Sequence, residues 1–200
     1  PCEDQKLETV FPEESLDIVR PETVESAAVG QTLFNLGIKI APKTGYANLK
    51  AEMEATIAMQ ILAGTSSPLY QKMLQEGYIN SVFSTEVFNG DGFFTMIFGG
   101  ESREPRMVRK EITEALLNAQ KNGLDEALFA ECKKSTYGAL VRELNNVSAV
   151  TNALVSAHMA GCGIFDTLHV LSDMTLEDCN RFLREEVDVQ HMTLSMIEPA

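Results

Sequence analysis

The chain has 200 residues and a net charge of -13, from 16 Lys and Arg against 29 Asp and Glu. A chain of this length suits one domain with a sizeable core, and a hydrophobic fraction of 44% without low-complexity tracts excludes the disordered and fibrous classes. The acidic balance repels phosphate backbones and anionic headgroups, so neither nucleic acid nor a membrane is an expected partner.

Residues 1–30 are acidic, carry Pro1, Pro12 and Pro21, and hold only short apolar stretches at Val10-Phe11 and Leu16–Val19. This is the pattern of a linker or an edge strand, an arm leading from something upstream. The start at Pro1-Cys2-Glu3-Asp4, without Met, is expected of an excised fragment or processed product. Residues 31–200 read as the domain itself. From Gln31 to Ala41 the apolar Leu33, Leu36, Ile38 and Ile40 alternate for part of the run, which predicts a half-buried strand closed by Pro42.

A helix is predicted from about Asn48 to Ala63, where Leu49, Met53, Ile57 and Ile61 recur every four residues before Gly64. A second begins at once, with Ser67 as N-cap and Pro68 in the first turn, and runs to Gln75 or Glu76 before Gly77. Ile79–Phe88 and Phe93–Phe98 are β-branched and aromatic, and Asn89-Gly90-Asp91-Gly92 between them tolerates positive φ, so a β-hairpin is expected. Ser102 or Glu104 then caps a helix with Pro105 near its start, ending at Asn122-Gly123. A long helical stretch from Asp125 breaks near Asn145-Asn146 and resumes to about Ala160.

After Gly161-Cys162-Gly163 a short apolar segment, Ile164–Leu171, leads to Thr175-Leu176-Glu177-Asp178, the spacing of a capping box. Val189–Ile197 alternates well enough to be a final strand, with Met192, Leu194 and Met196 on one face. The order predicts an α+β class, an antiparallel sheet with helices packed on one face.

The three histidines, His158, His169 and His191, are followed four residues on by Cys162, Asp173 and Ser195, so neither H-E-x-x-H nor its inverted form is present. His158 and Cys162 can share a helix face at i and i+4, but two residues do not make a zinc site. Gly64-Thr65-Ser66-Ser67 lacks the G-x-S-x-G form and its serines suit helix capping. Cys2, Cys132, Cys162 and Cys179 include no C-x-x-C pair, which fits a reducing compartment, and a cytoplasmic location is expected. No apolar run approaches the roughly 18 residues that a membrane span needs.

The stretch Gly64–Gly100 (GTSSPLYQKMLQEGYINSVFSTEVFNGDGFFTMIFGG) resembles the opening of the second homologous domain of pitrilysin/insulinase-type zinc peptidases: a small-residue turn, a short helix, a Gly and a hairpin. The Thr175–Asp178 helix and the closing strand are similar to the way such domains end. The resemblance spans the chain from about Gln31. It implies the half that has lost H-x-x-E-H and forms one wall of a peptide-binding chamber. That half is catalytically silent alone, with zinc and an H-x-x-E-H site in an N-terminal half of the same polypeptide or in a homologous subunit. The parent protein is expected to be a zinc metalloendopeptidase acting on peptides.

In such halves an Arg in the short helix and a Tyr after the Gly reach the substrate carbonyl. Here these positions fall at about Leu74 and at Asn80. Leu74 cannot donate a hydrogen bond, and Asn80 offers a shorter amide donor. Tyr78 supplies a nearby phenol, with packing of the strand's start as its other role. The excess of acid suggests a chamber favouring basic peptides. Two other readings stay open: a non-enzymatic scaffold or assembly subunit of the same family, and a small-molecule enzyme using His158 with Cys162 or Cys132.

Overall fold

The computed structural model describes residues 14–200, so the readings of Val10-Phe11 and of Cys2 lie outside the described residues. The order is β1 (Glu22–Ala27), β2 (Leu33–Ile40), α1 (Gly45–Ala63), α2 (Pro68–Gln75), β3 (Ser84–Gly90), β4 (Phe93–Glu101) and α3 (Pro105–Asn122). Then come α4 (Glu126–Glu143), α5 (Val147–Met159), α6 (Asp166–Asp173), α7 (Leu176–Glu186), a 3-10 turn at Val189–His191 and β5 (Met192–Pro199). The strands form one sheet in the order β1-β5-β2-β4-β3.

Period-two alternation assigns the faces. Phe34, Leu36, Ile38 and Ile40 of β2, Phe94, Met96 and Phe98 of β4, and Met192, Leu194 and Met196 of β5 are buried. Register places Leu36 beside Phe98 on one side and Leu194 on the other, so these side chains form a single layer. Helix α1 lies against this layer and buries Ile57, Ala58 and Met59. The intervening residues are mixed: Asn35 pairs with Ser195 and Lys39 with Thr95, but Gly37 lies between Thr193 and Ile97, and Leu33 pairs with Ile197. The face opposite the helices therefore carries both polar and apolar side chains.

The α+β class with helices on one face is observed, and the β2–β4, β2–β5 and β3–β4 pairings are antiparallel as expected. The β1–β5 pairing is parallel. Nearly the whole domain separates these two strands in sequence, so no hairpin dictates their relative direction.

Several boundaries differ from the sequence expectation, each for a local reason. The hairpin's first strand starts at Ser84, not Ile79, because Asn80–Phe83 close a turn through Phe83 N–H to Asn80 O at 3.2 Å. Ile79 and Phe83 are buried as plugs instead of strand residues. Helix α1 begins three residues before Asn48, at Gly45, whose φ of +56° suits a residue without Cβ. Residues 164–171, read as a short apolar segment, belong largely to α6, and the final strand starts at Met192 after a 3-10 turn. Glu104 is the N-cap of α3 without a side-chain bond, while Ser102 Oγ accepts the Glu104 N–H at 2.9 Å. The Thr175–Asp178 capping box is formed. Among the described residues no helix is long and apolar enough to cross a membrane.

Candidate functional site

Leu74, Tyr78 and Asn80 lie around the C-terminal end of α2, and the local sequence builds that end. Ser67 Oγ accepts the Tyr70 N–H at 3.0 Å and Pro68 sets the first turn. The helix closes in a Schellman arrangement: Gly77 N–H reaches Leu74 O at 3.1 Å and Tyr78 N–H reaches Met73 O at 2.9 Å. Gly77 has φ of +71°, a conformation an L side chain resists. Leu74, at the position where the resemblance places an Arg, is 38% exposed and offers only hydrocarbon.

Tyr78 is half-buried and packs against the core. Burial raises its phenol pKa above the ordinary tyrosine value, and the Glu76 carboxylate beside it acts in the same direction. The phenol therefore stays protonated at neutral pH and able to donate. Asn80 works in both directions within the chain. Its Oδ1 accepts the Val82 N–H at 3.0 Å, and its Nδ2 donates to Glu101 Oε2 at 2.7 Å. One amide hydrogen is left for anything outside.

Asn80 thus fastens the turn before β3 to the end of β4. Asn80→Ala should lower unfolding free energy by about 1–2 kcal/mol in urea melts, since it removes two hydrogen bonds and strands a carboxylate partner. An unchanged melt would show that the turn holds without the amide.

Among the described residues the neighbouring strand β3 is the sheet edge, paired with β4 on one side. The backbone groups on its far side are available to an added strand. Phe88, 54% exposed, projects from it, and Val82 in the preceding turn is 58% exposed.

The other sequence candidates are not gathered into a centre. His158 is exposed near the end of α5, and the Cys162 thiol contacts the Ala160 carbonyl at 3.7 Å. Cys132 is buried in α4, and burial raises its pKa, which disfavours the nucleophilic thiolate. Among the described residues no group of three or more His, Cys, Asp or Glu is placed to hold a metal ion. Glu101, the carboxylate that engages Asn80, carried no sequence signal, because its role depends on β4 returning beside the α2–β3 turn.

The sequence profile of the family described as "Peptidase M16 inactive domain" matches residues 3–136. An uncharacterized zinc protease, YmfH, of Bacillus subtilis (strain 168) is 28% identical over 171 residues, which cover 84% of this chain and 39% of that protein. The fold is shared with an M16-like peptidase from Alicyclobacillus acidocaldarius, at a TM-score of 0.89 and 24% identity over 96% of this chain and 46% of that one. A protease from Helicobacter pylori gives a TM-score of 0.80 and 18% identity over 98% of this chain and 48% of that one. The chain therefore spans less than half the length of these relatives.

Proposed function

Since the chain belongs to the peptidase M16 inactive-domain family, we propose that it is the non-catalytic half of a two-half zinc peptidase, forms one wall of the peptide chamber and completes the active site of an H-x-x-E-H half. The observation that carries this reading is coverage: nearly the whole fold superposes on under half of two longer peptidase structures. Zinc and the hydrolytic water belong, in this reading, to the other half.

The contribution of this chain is binding and orientation. The open side of β3 offers main-chain hydrogen bonds to an extended peptide, a mode that reads backbone before side chain. The remaining Asn80 amide hydrogen and the protonated Tyr78 phenol are the donors near the start of that strand. In this reading the chain stabilises a bound peptide and leaves the activation of water to the other half.

The test is cleavage of a quenched fluorescent peptide by this chain alone, by a homologous H-x-x-E-H half alone, and by the mixture, each with and without a chelator. Activity confined to the mixture and abolished by chelation is expected. Activity of this chain alone would overturn the reading.

A scaffold role is the second reading, favoured by one observation: Leu74 and Asn80 stand where the family resemblance places an Arg and a Tyr. It requires silence in all three reactions, with the complex still assembling.

A further inference from the structure

Helix α5 is anomalous in this fold. None of its residues is buried, yet Val147 (82% exposed), Leu154 (50%), Val155 (55%) and Met159 (83%) project from it, and Phe165 just beyond is 52% exposed. A helix rich in apolar residues that touches solvent all round has the composition of a covered helix without the cover.

Charge points the same way. From Leu144 to Phe165 the sequence contains no Asp, Glu, Lys or Arg, in a chain that is 22% charged overall. Depletion of charge at the centre of an exposed apolar area distinguishes an interface from ordinary surface. A cleft of about 80 Å³ beside the helix, walled mainly by Leu140, Leu144, Val150, Ile164 and Leu168, with Glu143 as its one charged wall, provides a socket for an apolar side chain.

We propose that this face, α5 with the end of α4, is where the homologous H-x-x-E-H half docks. The choice of occupant rests on length. The three relatives devote 52–61% of their chains to polypeptide outside the part this chain covers, so a body at least as large as this one accompanies the shared fold in each of them. An apolar face of this kind, charged only at its α4 edge, suits a permanent neighbour in the same protein better than a transient soluble one. The proposal depends on the two-half reading above and adds the surface through which the halves meet.

The test uses the full chain and the double variant Val155→Glu/Met159→Glu, with Lys110→Glu, at an exposed position of α3, as control. Binding to the H-x-x-E-H half is read by light scattering and titration, and folding by circular dichroism. Both replaced side chains are more than half exposed, so the variant is expected to keep its helix content. It should bind at least tenfold more weakly than the parent or the control, and hydrogen exchange over residues 147–159 should slow when the parent meets the half.

Unchanged affinity of the double variant, with cleavage intact in the mixture, would overturn the docking face and leave the two-half reading standing. Failure of the parent to bind the half would sink both, whereas binding without cleavage would sink the catalytic role alone. Protection of α5 by unfolded peptide alone, or self-association of the chain that the double variant abolishes, would assign the face to another occupant. If the variant loses helix content, the exchange footprint of the parent decides, and absence of protection there refutes the proposal.

Discussion

Phe98→Ala is expected to remove about 3–5 kcal/mol of stability, the largest effect of any single truncation considered for this fold. Phe98 is fully buried in β4, an interior strand. Its register partners are Leu36 on β2 and Thr85 on β3. Removing the ring takes away the transfer energy of a large apolar side chain and leaves a cavity that two paired strands cannot collapse to fill. Against a total stability of about 5–15 kcal/mol, such a loss puts the variant near its unfolding threshold at ambient temperature. Urea denaturation followed by circular dichroism measures it. A loss under about 1 kcal/mol would mean that the sheet and α1 re-pack around the gap, contrary to the single layer described above.

The second large effect is expected at the start of α7. Asp178 is the N3 residue of the capping box: its Oδ2 accepts from Thr175 N at 2.9 Å and from Thr175 Oγ1 at 2.6 Å, while Oδ1 accepts from Arg181 at 2.7 Å. Lys50, on α1, lies 3.5 Å from Oδ1 and 3.7 Å from the buried carboxylate of Glu54. Asp178→Ala deletes the side-chain half of the box and the Lys50–Asp178 link between α1 and α7, leaving Arg181 and Glu54 3.9 Å apart as the other link, and should cost about 2 kcal/mol.

The pH dependence distinguishes this from simple loss of packing. The Thr175 hydroxyl, its backbone N–H and Arg181 together hold the Asp178 carboxyl far below the ordinary aspartate value of 3.8, against the opposing pull of burial. A depressed carboxyl favours the folded state above the unfolded pKa and loses that contribution as pH falls below it. The gap in stability between parent and variant should therefore be full at pH 6 and narrow progressively below pH 3.8.

Glu54 has the opposite sign. Burial raises its pKa above 4.5, so its contribution becomes less favourable as pH rises through that window. A gap that stays constant down to pH 2 would show that Asp178 acts through geometry alone.

The helices and the hairpin turn were the legible part of the fold. Ser67-Pro68, Asp125 and Thr175–Asp178 are helix starts whose side chains bond or preset their own neighbourhood, and Gly77 and Gly123 are stops for reasons internal to the backbone. Information of that kind is carried within four residues. What depends on distant partners was harder to read. Ile79–Phe83 has strand composition, yet tertiary burial of Ile79 and Phe83 and the Asn80 turn outweigh that propensity. The parallel direction of β1 is set by a partner more than 160 residues away and has no local signature.

The site divides in the same way. Leu74, Tyr78 and Asn80 were found through the order of elements around Gly77. The tie from Asn80 to Glu101 needed the folded sheet. The exposure of α5 is likewise a tertiary fact, since an apolar helix in a sequence is ordinarily counted toward the core.

The parallel pairing of β1 with β5 also has a mechanical consequence. Chain enters the ladder at Glu22 and leaves it at Pro199, and these lie at opposite ends of the paired segment. Tension applied through the two flanks loads the rungs together in shear, whereas an antiparallel pair pulled from adjacent ends opens one rung at a time. The fold is thereby braced along that line of pull by the pairing of β1 with β5.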